Sequence, residues 1–278
     1  MSTPKIGLAL GGGSARGLAH IPFLEVFDEL GIKPAVIAGC SIGALVGAAY
    51  ASGMPARDMA DYARQVLVNK RGAAKFLFRE KGARIRTLLT LKNIASLQID
   101  GEQLAGFVLP RGVASRVEDT VIPLKIVTTD FEDLREHVIT RGSMARAVAA
   151  SFAVPGIISA PVIDGHVHVD GGVTNPVPFD HVRDGMDIVV AIDVTSRPRA
   201  ARRRHHSNFE LGIGSMLIMF RQIAELRRAI NPPDIYIEPP ISAFKATEFF
   251  RAHEMLEAAG QAKDAFKRAL EKRIDGIA

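Results

Sequence analysis

The chain has 278 residues, 47% of them apolar and 23% charged, which is the ordinary globular balance and enough to bury a sizeable core. One cysteine, Cys40, excludes an intramolecular disulfide framework and a cysteine-rich zinc site, and the lack of Trp leaves few stacking platforms, so no nucleic-acid partner is expected. A net charge of +5 favours anionic partners such as phospholipid head groups; no apolar stretch approaches the ~20 residues of a membrane span, and the N-terminus lacks a secretory signal, so a cytoplasmic location is expected.

In chain order, residues 5–10 form an apolar run closed by Gly11-Gly12-Gly13, the pattern of a buried strand. Residues 20–30 carry Ile21, Leu24, Phe27 and Leu30 at helical spacing, with Gly31 suited to the C-cap. A second strand at 36–38 enters a tight turn at 39–43, and a helix of small residues follows to about residue 52. This strand–helix–strand–helix order predicts a parallel sheet with right-handed crossovers. A helix is predicted over 56–68, and the basic stretch 69–97 reads as a cap or lid. Asp100 opens a short helix to residue 109, residues 124–131 and 135–140 form a hairpin turning at Asp133, and Ser143 caps a helix over 144–151. Further strands are predicted at 166–169, 188–194 and 234–237, and a helical stretch interrupted by Gly260 over 246–273. With no internal repeat or linker, residues 1–278 read as one domain.

Three motifs can carry chemistry. In Gly39-Cys40-Ser41-Ile42-Gly43, small residues flank a Ser on a strand-to-helix turn, which exposes its hydroxyl at a sheet edge and at a helix N-terminus. The five-residue pattern alone occurs often by chance; its position between strand and helix is what makes Ser41 a candidate nucleophile. Gly11-Gly12-Gly13-Ser14-Ala15-Arg16-Gly17 follows the first strand and can turn backbone N–H groups toward an anion. A dinucleotide loop would need glycine where Arg16 stands, and a nucleotide phosphate loop would need a Lys that is missing here. An oxyanion hole formed by Gly11, Gly12 and Gly13 fits better. Asp170-Gly171-Gly172 follows a predicted strand. An Asp-Gly turn is the commoner meaning of such a dipeptide, but a Ser nucleophile needs a base, and Asp170 would reach Ser41 if its strand were parallel to the first two.

Together with Ala150-Ser151-Phe152-Ala153-Val154-Pro155, these blocks resemble the patatin-like phospholipase family in order and content, over about residues 5–195. The resemblance implies a three-layer α/β/α sandwich around a largely parallel sheet. It also implies lipid acyl hydrolysis by a Ser–Asp dyad, with Ser41 as nucleophile, Asp170 as base and no cofactor or metal. The oxyanion hole would lie at Gly11–Gly13, Arg16 would take the family's basic position in that loop, and Gly39, Gly43, Gly171 and Gly172 would support the site. Burial should raise the pKa of Asp170 above the usual ~3.9. An acyltransferase or thioesterase with the same dyad, a non-catalytic lipid-binding protein, and a triad using His253 or His181 are the rival readings.

His166 and His168 share one strand face; without a third ligand a structural role outweighs a metal site. Cys40 is expected to point away from Ser41 into packing. The run 197–206 contains Arg197, Arg199, Arg202, Arg203, Arg204, His205 and His206, and the apolar segment 211–220 follows it. A solvated loop before a core helix is one reading; peripheral contact with an anionic membrane, beside the lipid or ester substrate, is the other.

Overall fold

The computed structural model of the protein describes residues 4–68, 99–195 and 208–277; the stretch 69–97 and the run 197–206, each the subject of an expectation above, lie outside the described residues. Eight strands form one mixed sheet: β1 (Ile6–Leu10), β2 (Val36–Cys40), β3 (Leu124–Asp130), β4 (Arg135–Ile139), β5 (Val162–Ile163), β6 (His166–Asp170), β7 (Ile188–Ile192) and β8 (Ile235–Ile237). The helices are α1 (Ile21–Leu30), α2 (Ile42–Ala51), α3 (Ala56–Val68), α4 (Gly101–Val108), α5 (Met144–Ser151), α6 (Asn208–Ile230), α7 (Ala252–Gly260) and α8 (Lys263–Asp275).

The strands β3, β2, β1, β7 and β8 run parallel in that order, and β4 and β6 are antiparallel to β3. The central strands β1, β2 and β7 are buried throughout, as strands covered on both faces must be. Their two faces differ in bulk. Leu8, Leu10, Ile37, Val190 and Ile192 point into the larger core under α1, α2 and α5, where each fully buried Leu or Ile contributes roughly 1.5–3 kcal/mol. Ala9, Ala38 and Ala191 point the other way, where the short helical turn Phe179–Val182 and Ala224 of α6 make a thinner layer. The result is the predicted α/β sandwich.

Local signals act as the sequence predicts at several ends. Asp100 accepts the Gln103 N–H (3.0 Å) to cap α4, and Ser143 accepts the Arg146 N–H (3.4 Å) to cap α5. A 3₁₀ turn over Ser14–His20 precedes α1, which starts at Ile21 with Pro22 in its first turn, where the missing proline N–H costs nothing. The stretch 246–273 divides into the turn Phe249–Arg251, α7 and α8.

One expectation is overturned. The strand leading to Asp170 is not parallel to β1 and β2. Val127 of β3 pairs with Cys40 on one side and Val138 on the other, while Thr128 pairs with Asp170 and His137. β4 therefore takes one edge of β3, and β2 and β6 share the other edge from opposite directions. Their carboxyl ends meet head to head at Val127 and Thr128. That meeting, rather than a common strand direction, brings Asp170 to Ser41.

Candidate active site

Ser41 follows β2 directly and is the N-cap of α2; its carbonyl accepts the Ala44 and Leu45 N–H groups (2.9 and 3.3 Å). Its backbone has φ +54° and ψ −122°, a region that non-glycine residues rarely occupy and that costs on the order of 1–3 kcal/mol. The strain is held in place by a contact to which the sequence assigned no role. Ser151, fully buried at the end of α5, accepts the Ser41 N–H (2.8 Å) and donates its own hydroxyl to the Val127 carbonyl (2.6 Å). The available signal was its position in the 150–155 block, a small hydroxyl among alanines. Gly43 is required by crowding: a Cβ there would fall 2.1 Å from the Leu10 carbonyl oxygen. Cys40 is fully buried with its Sγ beside Gly12, and burial pushes its thiol pKa well up.

The Ser41 hydroxyl makes no capping bond to α2; it donates to Asp170 Oδ2 at 2.7 Å. Asp170 is 1% exposed. Its Oδ1 accepts the Gly172 N–H (2.8 Å), its N–H donates to the Ala153 carbonyl (3.1 Å), and its carbonyl accepts the Thr129 hydroxyl (3.1 Å). No cation pairs with this carboxylate among the described residues. Burial pushes its pKa up to about 6, against the lowering effect of the Gly172 N–H and the Ser41 hydroxyl. It is thus ionised at neutral pH yet more basic than a solvated Asp. Gly171 lies against the Val127 carbonyl and Gly172 against the Phe220 ring of α6, while Gly39 packs on Ala44.

The glycine loop lies beside the hydroxyl: a Cβ on Gly12 would sit 3.3 Å from Ser41 Cβ. Its donors are fewer than the sequence suggested. The Gly11 N–H bonds the Ile192 carbonyl (3.0 Å) and the Gly12 N–H the Pro176 carbonyl (2.8 Å), so both are spent on holding the loop to the sheet. The Gly13 N–H has no acceptor among the described residues, nor do the Ile42 and Gly43 N–H groups that open α2. The N–H groups left without a partner beside Ser41 are therefore those of Gly13, Ile42 and Gly43. Two buried side chains brace the loop from below. Arg16 donates from Nε to the Gly13 carbonyl (3.4 Å), and His20 bonds the Gly11 carbonyl through Nε2 (2.8 Å). Burial pulls Arg16 down to about 10, with Asp193 opposing and nearby Arg221 adding to the fall, and pulls His20 down to about 4, which keeps its ring neutral.

No described histidine touches the Ser41–Asp170 pair. His166 bonds Asp130 (2.8 Å), His168 bonds the Thr128 hydroxyl (3.0 Å), His181 bonds Glu136, and His253 faces Glu257 on the surface (3.2 Å). Two groups among the described residues bring ligand atoms close enough for a cation: Asp130, Glu132 and His166, and Glu136, Asp180 and His181. Neither contains Ser41 or Asp170, and Arg227 already pairs with both carboxylates of the second group.

The sequence model of the patatin-like phospholipase family matches residues 8–183. The lysophospholipase nte1 of Aspergillus fumigatus is 28% identical over 275 residues, covering 91% of this chain and 17% of its own length. Patatin-like phospholipase domain-containing protein 7 of Rattus norvegicus is 27% identical over 286 residues, covering 92% of this chain and 20% of its own. The chain thus spans a fifth or less of the length of these curated relatives. Among solved structures, VipD from Legionella pneumophila shares the fold with a TM-score of 0.53 at 12% identity, over 96% of this chain and 67% of that one. A family match that runs unbroken from the glycine loop through Ser41 to beyond Asp170 makes this chain a member of the patatin-like phospholipase family.

Proposed function

We propose that the protein hydrolyses carboxylic esters of lipids, with Ser41 as nucleophile and Asp170 as general base. The observation that carries this reading is the 2.7 Å bond from the Ser41 hydroxyl to a buried carboxylate that has no cationic partner among the described residues. As Ser41 Oγ attacks the ester carbonyl carbon, its proton passes to Asp170 Oδ2. The negative charge that develops on the carbonyl oxygen is stabilised by the Gly13 N–H and the N-terminus of α2. Collapse of the tetrahedral adduct breaks the bond to the alcohol, which leaves with the proton from Asp170, and an acyl-Ser41 ester remains. Water then attacks this ester and gives its proton to Asp170; the second collapse frees the fatty acid, and Ser41 Oγ regains the proton. Every proton and bond balances without a cofactor.

An acyltransferase or thioesterase would use the same pair and differ only in the acceptor or donor of the acyl group. A lipid-binding protein without catalysis would leave Ser41 unreactive. The lipid would be met at a membrane surface: Leu211, Ile218 and Met219 of α6 are exposed, and α6 reaches the site where Phe220 covers Gly172. The basic run 197–206 precedes this helix in sequence and suits anionic lipid. No described helix is long and apolar enough to cross a membrane.

The test is a fluorophosphonate probe followed by peptide mass spectrometry, then product analysis on a panel of lysophospholipids, phospholipids and acylglycerols. Label on the Ser41 peptide and release of free fatty acid are expected. A parent protein that takes no label at Ser41 would overturn the nucleophile, and acyl transfer to an alcohol in preference to water would convert the reading to an acyltransferase.

A further inference from the structure

We propose that Ser151 is a positioning residue for the dyad: from the end of α5, its hydroxyl sets where Ser41 stands relative to Asp170. The inference rests on Ser41 and Asp170 as nucleophile and base, and adds what fixes the distance between them. The two residues are 129 positions apart in the chain and stand at the ends of β2 and β6, each of which pairs with β3. A 2.7 Å bond between their side chains therefore needs a third element that holds both backbones.

That element is the end of α5 and the two residues after it. The Ser151 hydroxyl accepts the Ser41 N–H (2.8 Å) and donates to the Val127 carbonyl (2.6 Å). Val127 pairs with Cys40, the residue before the nucleophile, and its neighbour Thr128 pairs with Asp170. Two residues beyond Ser151, the Ala153 carbonyl accepts the Asp170 N–H (3.1 Å). Nucleophile and base are thus both held through their own backbone N–H groups, one by residue 151 and one by residue 153. The anchor is stiff: Ser151, Val148, Ala149, Ala150 and Ala153 are all fully buried, and alanine has no rotamer to change. A hydroxyl carries one proton, and that of Ser151 goes to Val127, so toward Ser41 it acts as an acceptor only. It therefore fixes the nucleophile without competing for the Asp170 carboxylate. Released from this bond, Ser41 would relax from φ +54° toward a commoner backbone region and carry its hydroxyl away from Asp170 Oδ2.

Ser151→Ala removes the hydroxyl and keeps a residue that suits a helix. With a short-chain nitrophenyl ester, kcat should fall about 10²-fold while KM changes little, the cost of a misplacement on the order of 1 Å. The acidic limb of the pH profile is the sharper readout. In the parent the Ser41 hydroxyl lowers the Asp170 pKa, so a displaced hydroxyl should move the limb from about 6 to higher pH. KM and the position of the limb are independent of the folded fraction. Val148→Ala, an apolar truncation in the same helix, should lower the melting temperature and leave the limb in place. Titration of the Asp170 carboxyl by carbon NMR should show the same upward move in Ser151→Ala without turnover. Parent kcat and limb in Ser151→Ala, or a loss of activity with the limb unmoved as in Val148→Ala, would overturn the positioning role. A parent with neither turnover nor fluorophosphonate label would instead remove Ser41 as nucleophile, and the NMR titration would still decide whether Ser151 holds the pair.

Discussion

Near the carboxyl end of β3, the two faces of the sheet carry carboxylates in opposite circumstances, one fully buried and two partly so. On the face of Thr128, the Asp170 carboxylate meets, among the described residues, two neutral donors, the Ser41 hydroxyl and the Gly172 N–H. On the face of Thr129, Glu136 and Asp180 share Arg227, at 3.0 Å each, and receive the Asn175 amide, while His181 also bonds Glu136. The pairing with Glu136 raises the His181 pKa, and the cluster ties α6 to the segment just after Asp170. The difference separates two uses of burial. A carboxylate matched by cations serves as a strut, whereas one left with neutral donors is made basic by desolvation. The second arrangement is costly for stability and useful for taking a proton from a hydroxyl.

Removing the proposed chemistry should have the largest effect. Ser41→Ala should reduce hydrolysis of a short-chain nitrophenyl ester to background, and Asp170→Asn should lower kcat/KM by about 10²–10⁴, with circular dichroism of both variants unchanged. Retained turnover in a folded Asp170→Asn protein would erase the distinction between the two faces. Next is pH. The proposed mechanism needs Asp170 ionised, so kcat/KM should fall about tenfold per pH unit as pH drops below about 6, and the limb should be absent in Asp170→Asn.

Stability sharpens the same contrast. A folded-state pKa of about 6 lies above the usual carboxyl value near ~3.9, so folding favours the protonated form of Asp170. Stability from this group is present below about pH 4 and is lost as pH rises through about 6. Asp170→Asn should therefore melt higher than the parent at pH 8, with the advantage vanishing at pH 4. Arg227→Ala should do the reverse. It leaves partly buried Glu136 and Asp180 without their shared cation, at a cost on the order of 1–3 kcal/mol in urea unfolding. The smallest expected effect is on membrane contact. Replacing Leu211, Ile218 and Met219 with Ser should weaken co-sedimentation with phosphatidylglycerol vesicles a few-fold while acetate ester turnover is retained; equal partitioning of parent and variant would remove α6 as a docking face.

Much of the site was legible because its residues obey local rules. A strand that ends in a turn between two glycines before a helix has few conformations open to it, and a close approach such as that of Gly43 to the Leu10 carbonyl tolerates no Cβ. The glycine loop, the turn that holds Ser41 and the caps at Asp100 and Ser143 follow from patterns a few residues long, and the parallel pairing of β1 with β2 follows from one strand–helix–strand unit. What those patterns do not contain is the identity of distant partners. The Gly11 and Gly12 N–H groups look like free anion donors until β7 and Pro176 are packed against them. Ser151 is an ordinary helix residue until α5 brings its hydroxyl to the Ser41 N–H.

By itself, then, the sequence determined which atoms stand at the ends of which elements: a hydroxyl at the start of α2, a carboxylate at the end of β6 and a run of backbone donors after β1. Only the tertiary structure decided that β2 and β6 approach along one edge of β3 from opposite directions, and that no cation among the described residues pairs with Asp170. The physical reason is the range of the forces involved. Sterics and capping act over a few residues and are written into neighbouring side chains, whereas strand direction and the charge environment of a buried carboxylate depend on segments more than a hundred residues apart in the chain, such as Ser41 and Asp170.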